Sequence, residues 1–133
     1  APTIKAVTAY KMPYGLGTLT LGGAIVGLAN QKHIDAETRR NTDVRAFTVK
    51  AFADMGISGT DSQTNFLFMD IKRPAAGFRD ACRAAGILVG RDFPPFEKTH
   101  ARISIGTMDE MQRAVAVFKT VLGGATSTSR QGR

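Results

Sequence analysis

Arg102, in the stretch ARISIGTMDEM at residues 101–111, is the residue of this chain best placed to do chemistry. Alternation along a strand sends Arg102 and Ser104 to one side and Ile103 and Ile105 to the other. The isoleucines can then enter a core while the guanidinium faces a cleft. Gly106 turns the chain, and Thr107 with Glu110 makes a T-x-x-E capping box that starts a helix. An arginine on such a platform offers a planar, permanently charged fork suited to a carboxylate or a phosphate. The same pattern also fits an arginine that is only the polar half of an edge strand, so these residues alone leave both readings open. His33 and His100 lack metal-ligand spacing, Cys82 falls on the apolar stripe of a helix, and Asp61-Ser62 has no triad partner. No metal site is expected.

The elements that must hold Arg102 read as follows. Residues 1–12 are weakly helical and stop at Pro13. The tract 16–28 is apolar on nearly all sides, the pattern of a helix buried against something larger. A second, polar helix spans 31–55, with Val44, Phe47, Ala51 and Met55 on one stripe, and Gly56 ends it. Residues 64–69 (TNFLFM) read as an interior strand. Pro74 opens a helix to about Ala85 with Phe78, Cys82 and Ala85 inward. Residues 87–89 read as a further strand and 90–100 as a loop stiffened by Pro94-Pro95. The strand 101–105 precedes a helix over 108–122, with Met111, Val115, Phe118 and Leu122 inward. The tail from residue 123 is expected to be disordered. This order predicts an α+β two-layer domain, with helices on one face of a small, mostly antiparallel sheet.

Composition bounds the partners. The chain has 133 residues, 43% hydrophobic and 22% charged, ordinary for one globular domain. Its formal charge is +7, but the basic residues are scattered and no aromatic-basic motif accompanies them, which argues against nucleic acid and suits an acidic or phosphorylated small substrate. One cysteine excludes an internal disulfide and fits the cytoplasm. The uncharged run 17–29 is too short to span a bilayer, which takes roughly 20 residues, so no membrane role is expected. The first residue is Ala1, which reads as a processed or excised piece.

Four blocks carry a resemblance: KMPYGLGTLT at 11–20, SQTNFLF at 62–68, GILVGRDFPP at 86–95 and ARISIGTMDEM at 101–111. In this order they resemble the C-terminal part of a fold-type I pyridoxal-phosphate aminotransferase, most closely a histidinol-phosphate aminotransferase. The resemblance implies that residues 1–30 are a remnant of the large cofactor-binding domain. Residues 31–122 are then the small domain, entered by the long helix 31–55. It also implies pyridoxal 5'-phosphate in the intact parent, with none expected on this chain alone. Lys11 stands before a Gly-Leu tract, as the cofactor lysine of such enzymes does. The tract lacks its basic residue, and no residues remain for the helix that should follow. Lys11 is therefore not the Schiff-base lysine, and no catalytic residue is expected in this chain.

What the resemblance implies for the site centres on Arg102. It would grip the carboxylate of glutamate or 2-oxoglutarate, and the phosphate of histidinol phosphate. Arg91 is the candidate for a second, phosphate-assisting arginine, although Gly90 adds a residue that could turn its side chain to the other face. Asn65 and Phe93 could support the pocket. Phe96 could wall it or simply pack the loop. The expected function is a substrate-anchoring transaminase domain, inactive as this fragment. The alternative is a free-standing oligomeric small-molecule or protein-interaction module. In either case the 16–28 helix, uncovered, should drive homo-oligomerisation.

Overall fold

The computed structural model describes residues 2–11 and 15–123. The order is α1 (Pro2–Ala9), α2 (Thr18–Ala29), α3 (Gln31–Ala53), β1 (Phe66–Asp70), α4 (Ala75–Ala84), β2 (His100–Ser104) and α5 (Met108–Gly123). The chain divides into two compact units at residues 37 and 38. The expected tail beyond Gly123, and the stop at Pro13, lie outside the described residues.

The first unit holds α1, α2 and the first turns of α3. No residue of α1 or α2 is buried. Leu19 is 92% exposed, and Ile25, Val26 and Leu28 are also open. The expected all-round apolar helix is therefore present without a cover. Asn30 divides α2 from α3. Its backbone N–H bonds to the Gly27 carbonyl, and its side-chain Oδ1 accepts from the His33 N–H at 3.1 Å. One asparagine thus ends one helix and caps the next.

In the second unit β1 and β2 pair antiparallel, with Phe66 opposite Ser104, Phe68 opposite Arg102 and Asp70 opposite His100. Leu67, Met69, Ala101 and Ile103 are buried on one face. That face joins a core with Val44, Ala51 and Phe52 of α3, Phe78 and Cys82 of α4, and Val115, Phe118 and Leu122 of α5. The Phe118 ring stands 5.6 Å from Phe52 and 5.4 Å from Phe78, so one ring joins all three helices. Burial pushes the Cys82 thiol up to about 11, which keeps it neutral. The α+β arrangement with helices on one sheet face is as the pattern predicts.

Three local expectations change. Residues 87–89 form no strand, and Gly90 passes so close to β2 that a Cβ would lie 3.2 Å from the Arg102 carbonyl. Residues 58–60 take the other flank instead. Gly59 bridges Met69, the Thr60 N–H bonds to the Phe68 carbonyl, and the Asp70 N–H bonds to Ser58. Ala85 is not inward: it is the exposed C-terminal cap of α4, and Gly86 follows at φ 80°. On α3 the stripe shifts, with Thr48 and Phe52 fully buried and Phe47 and Met55 half-buried. Thr48 escapes the polar penalty by bonding its hydroxyl to the Val44 carbonyl.

The predicted capping box is formed. Glu110 accepts from the Thr107 N–H at 2.8 Å and from its hydroxyl at 3.0 Å, and the Thr107 hydroxyl accepts from the Glu110 N–H at 3.4 Å. These Thr107 bonds hold the Glu110 carboxyl below its usual 4.5. A lowered carboxylate stabilises the fold above its unfolded value, and that stability is lost as pH falls through the folded one. Thr107→Ala should cost about 1 kcal/mol. Glu110→Gln should reduce the fall in Tm between about pH 7 and about pH 3, read by thermal unfolding. A Cβ on Gly59 would lie 2.5 Å from the Phe68 carbonyl and from the Met69 sulfur. Gly59→Ala should therefore lose about 1–3 kcal/mol in a urea melt.

Candidate functional site

The sheet face turned away from the helices carries Phe66, Phe68, His100 and Arg102, as the register requires. The loop 90–99 folds across it. Three contacts fix that loop: an Arg79–Asp92 ion pair from α4, a 2.8 Å bond from the Ala75 N–H to the Glu97 carbonyl, and edge-to-face packing of Phe93 and Phe96 on Phe68. The Pro94–Pro95 peptide is cis. Between loop and sheet opens a cavity of about 460 Å³, lined by Thr60, Phe66, Phe68, Phe93, Pro94, Phe96 and Arg102.

Arg102 is half-buried at this cavity. Its guanidinium carbon lies 4.1 Å from the centre of the Phe66 ring and 5.4 Å from that of Phe93. Each such contact contributes roughly 0.5–2 kcal/mol to holding the cation in place. Its Nε is buried without a hydrogen-bond partner. Arg102 makes no ion pair among the described residues. The site therefore contains a charged fork with an unsatisfied donor and an open cavity before it.

Arg91 reaches the same ring. Its guanidinium carbon lies 4.4 Å from the Phe93 centre. The side chain is exposed and does not line the cavity. Asn65 is exposed and lies just before β1; its backbone carbonyl accepts from the Ile105 N–H at 2.8 Å. Its contribution is to close the end of the strand pair. Phe93 lines the cavity and touches both arginines. Phe96 lines it while half exposed.

Sequence reasoning missed Phe66 and Phe68. Their run reads as an interior strand, whereas β1 is buried on one face only. It also left His100 without a role. His100 stacks on Phe68 at 4.9 Å and meets Phe96 at 5.6 Å. Its strand parity with Arg102 was the available signal. From α3, Asn41 and Arg45 donate to the Thr64 carbonyl and Arg40 to the Gly106 carbonyl at 2.9 Å. They tie down the turns at the ends of both strands.

Residues 4–118 match the family described as Aminotransferase class I and II. The chain belongs to this family. It is 30% identical over 125 residues to a histidinol-phosphate aminotransferase of Akkermansia muciniphila, covering 91% of this chain and 33% of the relative. Over 112 residues it is 29% identical to one of Symbiobacterium thermophilum, covering 84% and 31%. A solved structure assigned as a histidinol-phosphate aminotransferase of Erwinia carotovora atroseptica superposes at TM-score 0.76 and 26% identity, over 93% of this chain and 36% of that one. A Sinorhizobium meliloti histidinol-phosphate aminotransferase, solved with pyridoxal-5'-phosphate, shares the fold at TM-score 0.71 and 22% identity. The chain thus spans about a third of the length of the aminotransferases it matches.

The cavity does not itself fit the aminotransferase cofactor. An aldehyde cofactor is held covalently through a lysine amine, and the lining offers arginine, threonine and aromatic side chains instead. The geometry suits an anion on the Arg102 fork with an apolar body among the phenylalanines. Among the described residues no cluster of His, Cys, Asp and Glu could hold a metal ion, and no helix is long and apolar enough to cross a membrane. Asp92→Asn should release the 91–96 loop. Amide exchange there should speed several-fold, while the loss of global stability stays at about 1 kcal/mol.

Proposed function

We propose that this chain is the substrate-anchoring C-terminal part of a pyridoxal-phosphate aminotransferase. Residues 1–30 belong with the large cofactor domain and 31–122 form the small domain. The observation that carries this reading is the Arg102 guanidinium: held over the Phe66 ring, unpaired, and facing a cavity large enough for a small substrate. Arg102 binds the carboxylate of glutamate or 2-oxoglutarate and the phosphate of histidinol phosphate. Each presents two oxygens to the fork. Arg91, whose guanidinium also meets the Phe93 ring, adds a second cation, and Asn65 and Phe93 hold the frame. The parent works in the cytoplasm. The chain alone carries no turnover, because it provides the anchor and not the lysine.

A second reading rests on the first unit. Its helices expose Leu19, Ile25, Val26 and Leu28, an apolar surface that favours association. This supports a homo-oligomer built through residues 16–28, and a free-standing module derived from the same domain.

Titration of methyl phosphate and glutarate into the purified chain tests the anchor. Arg102→Gln should weaken both by about tenfold or more, since a charge-assisted hydrogen bond contributes roughly 1.5–3 kcal/mol. Arg91→Gln should weaken methyl phosphate less. Unchanged affinities in Arg102→Gln would overturn the reading. Transaminase turnover by the chain with added pyridoxal phosphate would overturn the claim of an inactive part.

A further inference from the structure

His100 is not among the residues that line the cavity, but it packs on two that do, and the anchoring reading does not use it. It begins β2, two residues before Arg102, and so shares its sheet face at roughly 7 Å along the strand. Its ring lies nearly parallel to Phe68, with centres 4.9 Å apart and planes at 27°, and meets Phe96 edge-on at 5.6 Å. Phe68 and Phe96 both line the cavity. The Thr99 hydroxyl stands 2.8 Å from His100 Nδ1. A hydroxyl both donates and accepts, so this bond serves the neutral ring and the protonated ring alike. The His100 N–H bonds to the Phe96 carbonyl at 2.8 Å, which ties the histidine backbone to the loop that roofs the cavity.

The charged groups around it are few. Asp70 faces it across the ladder, and its Oδ1 accepts from the Lys72 N–H. Arg102 lies along the strand. Glu97 and Lys98 belong to the turn before it. His100 forms no ion pair among the described residues. Its charge would therefore act on the cavity through two routes. An imidazolium over the Phe68 face gains a cation–π contact, which stiffens the wall. It also adds positive potential beside the Arg102 fork.

We propose that His100 is a positioning residue of the anion cavity: it braces the Phe68–Phe96 wall and, when protonated, raises the affinity for an anionic ligand. This rests on the reading of Arg102 as the anion anchor. The sign is fixed: affinity rises as pH falls.

Sulfate is the suitable probe, because its double charge stays constant over this range whereas that of phosphate does not. Sulfate affinity of the full chain would be measured across about pH 5–8 by calorimetry for the wild type, His100→Phe, His100→Gln and Arg102→Gln. The wild type should bind about threefold to tenfold more tightly at the acid end. His100→Phe keeps a ring against Phe68; it should retain the alkaline affinity and lose the pH slope. His100→Gln should lose the slope and bind more weakly at alkaline pH. A slope that persists in His100→Phe, or a flat wild-type profile with binding still dependent on Arg102, overturns the role of His100 alone. Sulfate binding indifferent to Arg102→Gln at every pH overturns the anchor, and the present proposal with it.

Discussion

The register of one short strand pair is the constraint on which this unit depends. With Phe68 opposite Arg102, alternate residues are committed to opposite faces. Leu67, Met69, Ala101 and Ile103 go under the helices; Phe66, Phe68, His100 and Arg102 go to the cavity face. A slip by one residue would drive a guanidinium into the core and expose isoleucine. Two paired strands alone fix register weakly. Here the fixing comes from outside the ladder. Gly59 admits residues 58–60 against the free edge of β1, Gly90 admits a second segment against β2, and α3 donates side chains to the Thr64 and Gly106 carbonyls.

The same register leaves Arg102 electrostatically poised. A buried, unsatisfied N–H costs about 1–3 kcal/mol. Cation–π contacts with Phe66 and Phe93 return roughly 0.5–2 kcal/mol each. The rings therefore offset part of that cost and hold the side chain in place without neutralising it. An ion pair would have held it more firmly and removed its capacity for a ligand. Aromatic rings instead supply orientation while leaving the charge available.

The two units contrast in how they use apolar residues. In the second, Phe52, Phe78 and Phe118 are each buried, and Phe118 meets both of the others. In the first, α1 and α2 bury none of theirs. A helix of this kind gains little from its own propensity, since most helical stability comes from packing an apolar face. The chain spans about a third of the length of its matched relatives.

How much was legible in the sequence follows from the range of each interaction. Capping, helix periodicity and strand alternation are local, so Thr107–Glu110, the stripe of α5 and the outward parity of Arg102 could be read directly. The α+β class followed from their order, and four blocks sufficed to mark the aminotransferase resemblance. What faces Arg102 was not local. Phe66 and Phe68 become a cavity wall only because helices cover just one side of β1. Residues 87–89 carry a strand composition, yet the ladder they would join is not formed, and 58–60 take an edge instead. His100 gains a stacking partner only when the 93–99 loop folds back across the sheet. The sequence by itself determined the cap and stripe of α5 and the alternation that sends Arg102 away from Ile103. Tertiary structure alone decided what stands opposite each side chain, because burial and ring contacts depend on segments distant in the chain.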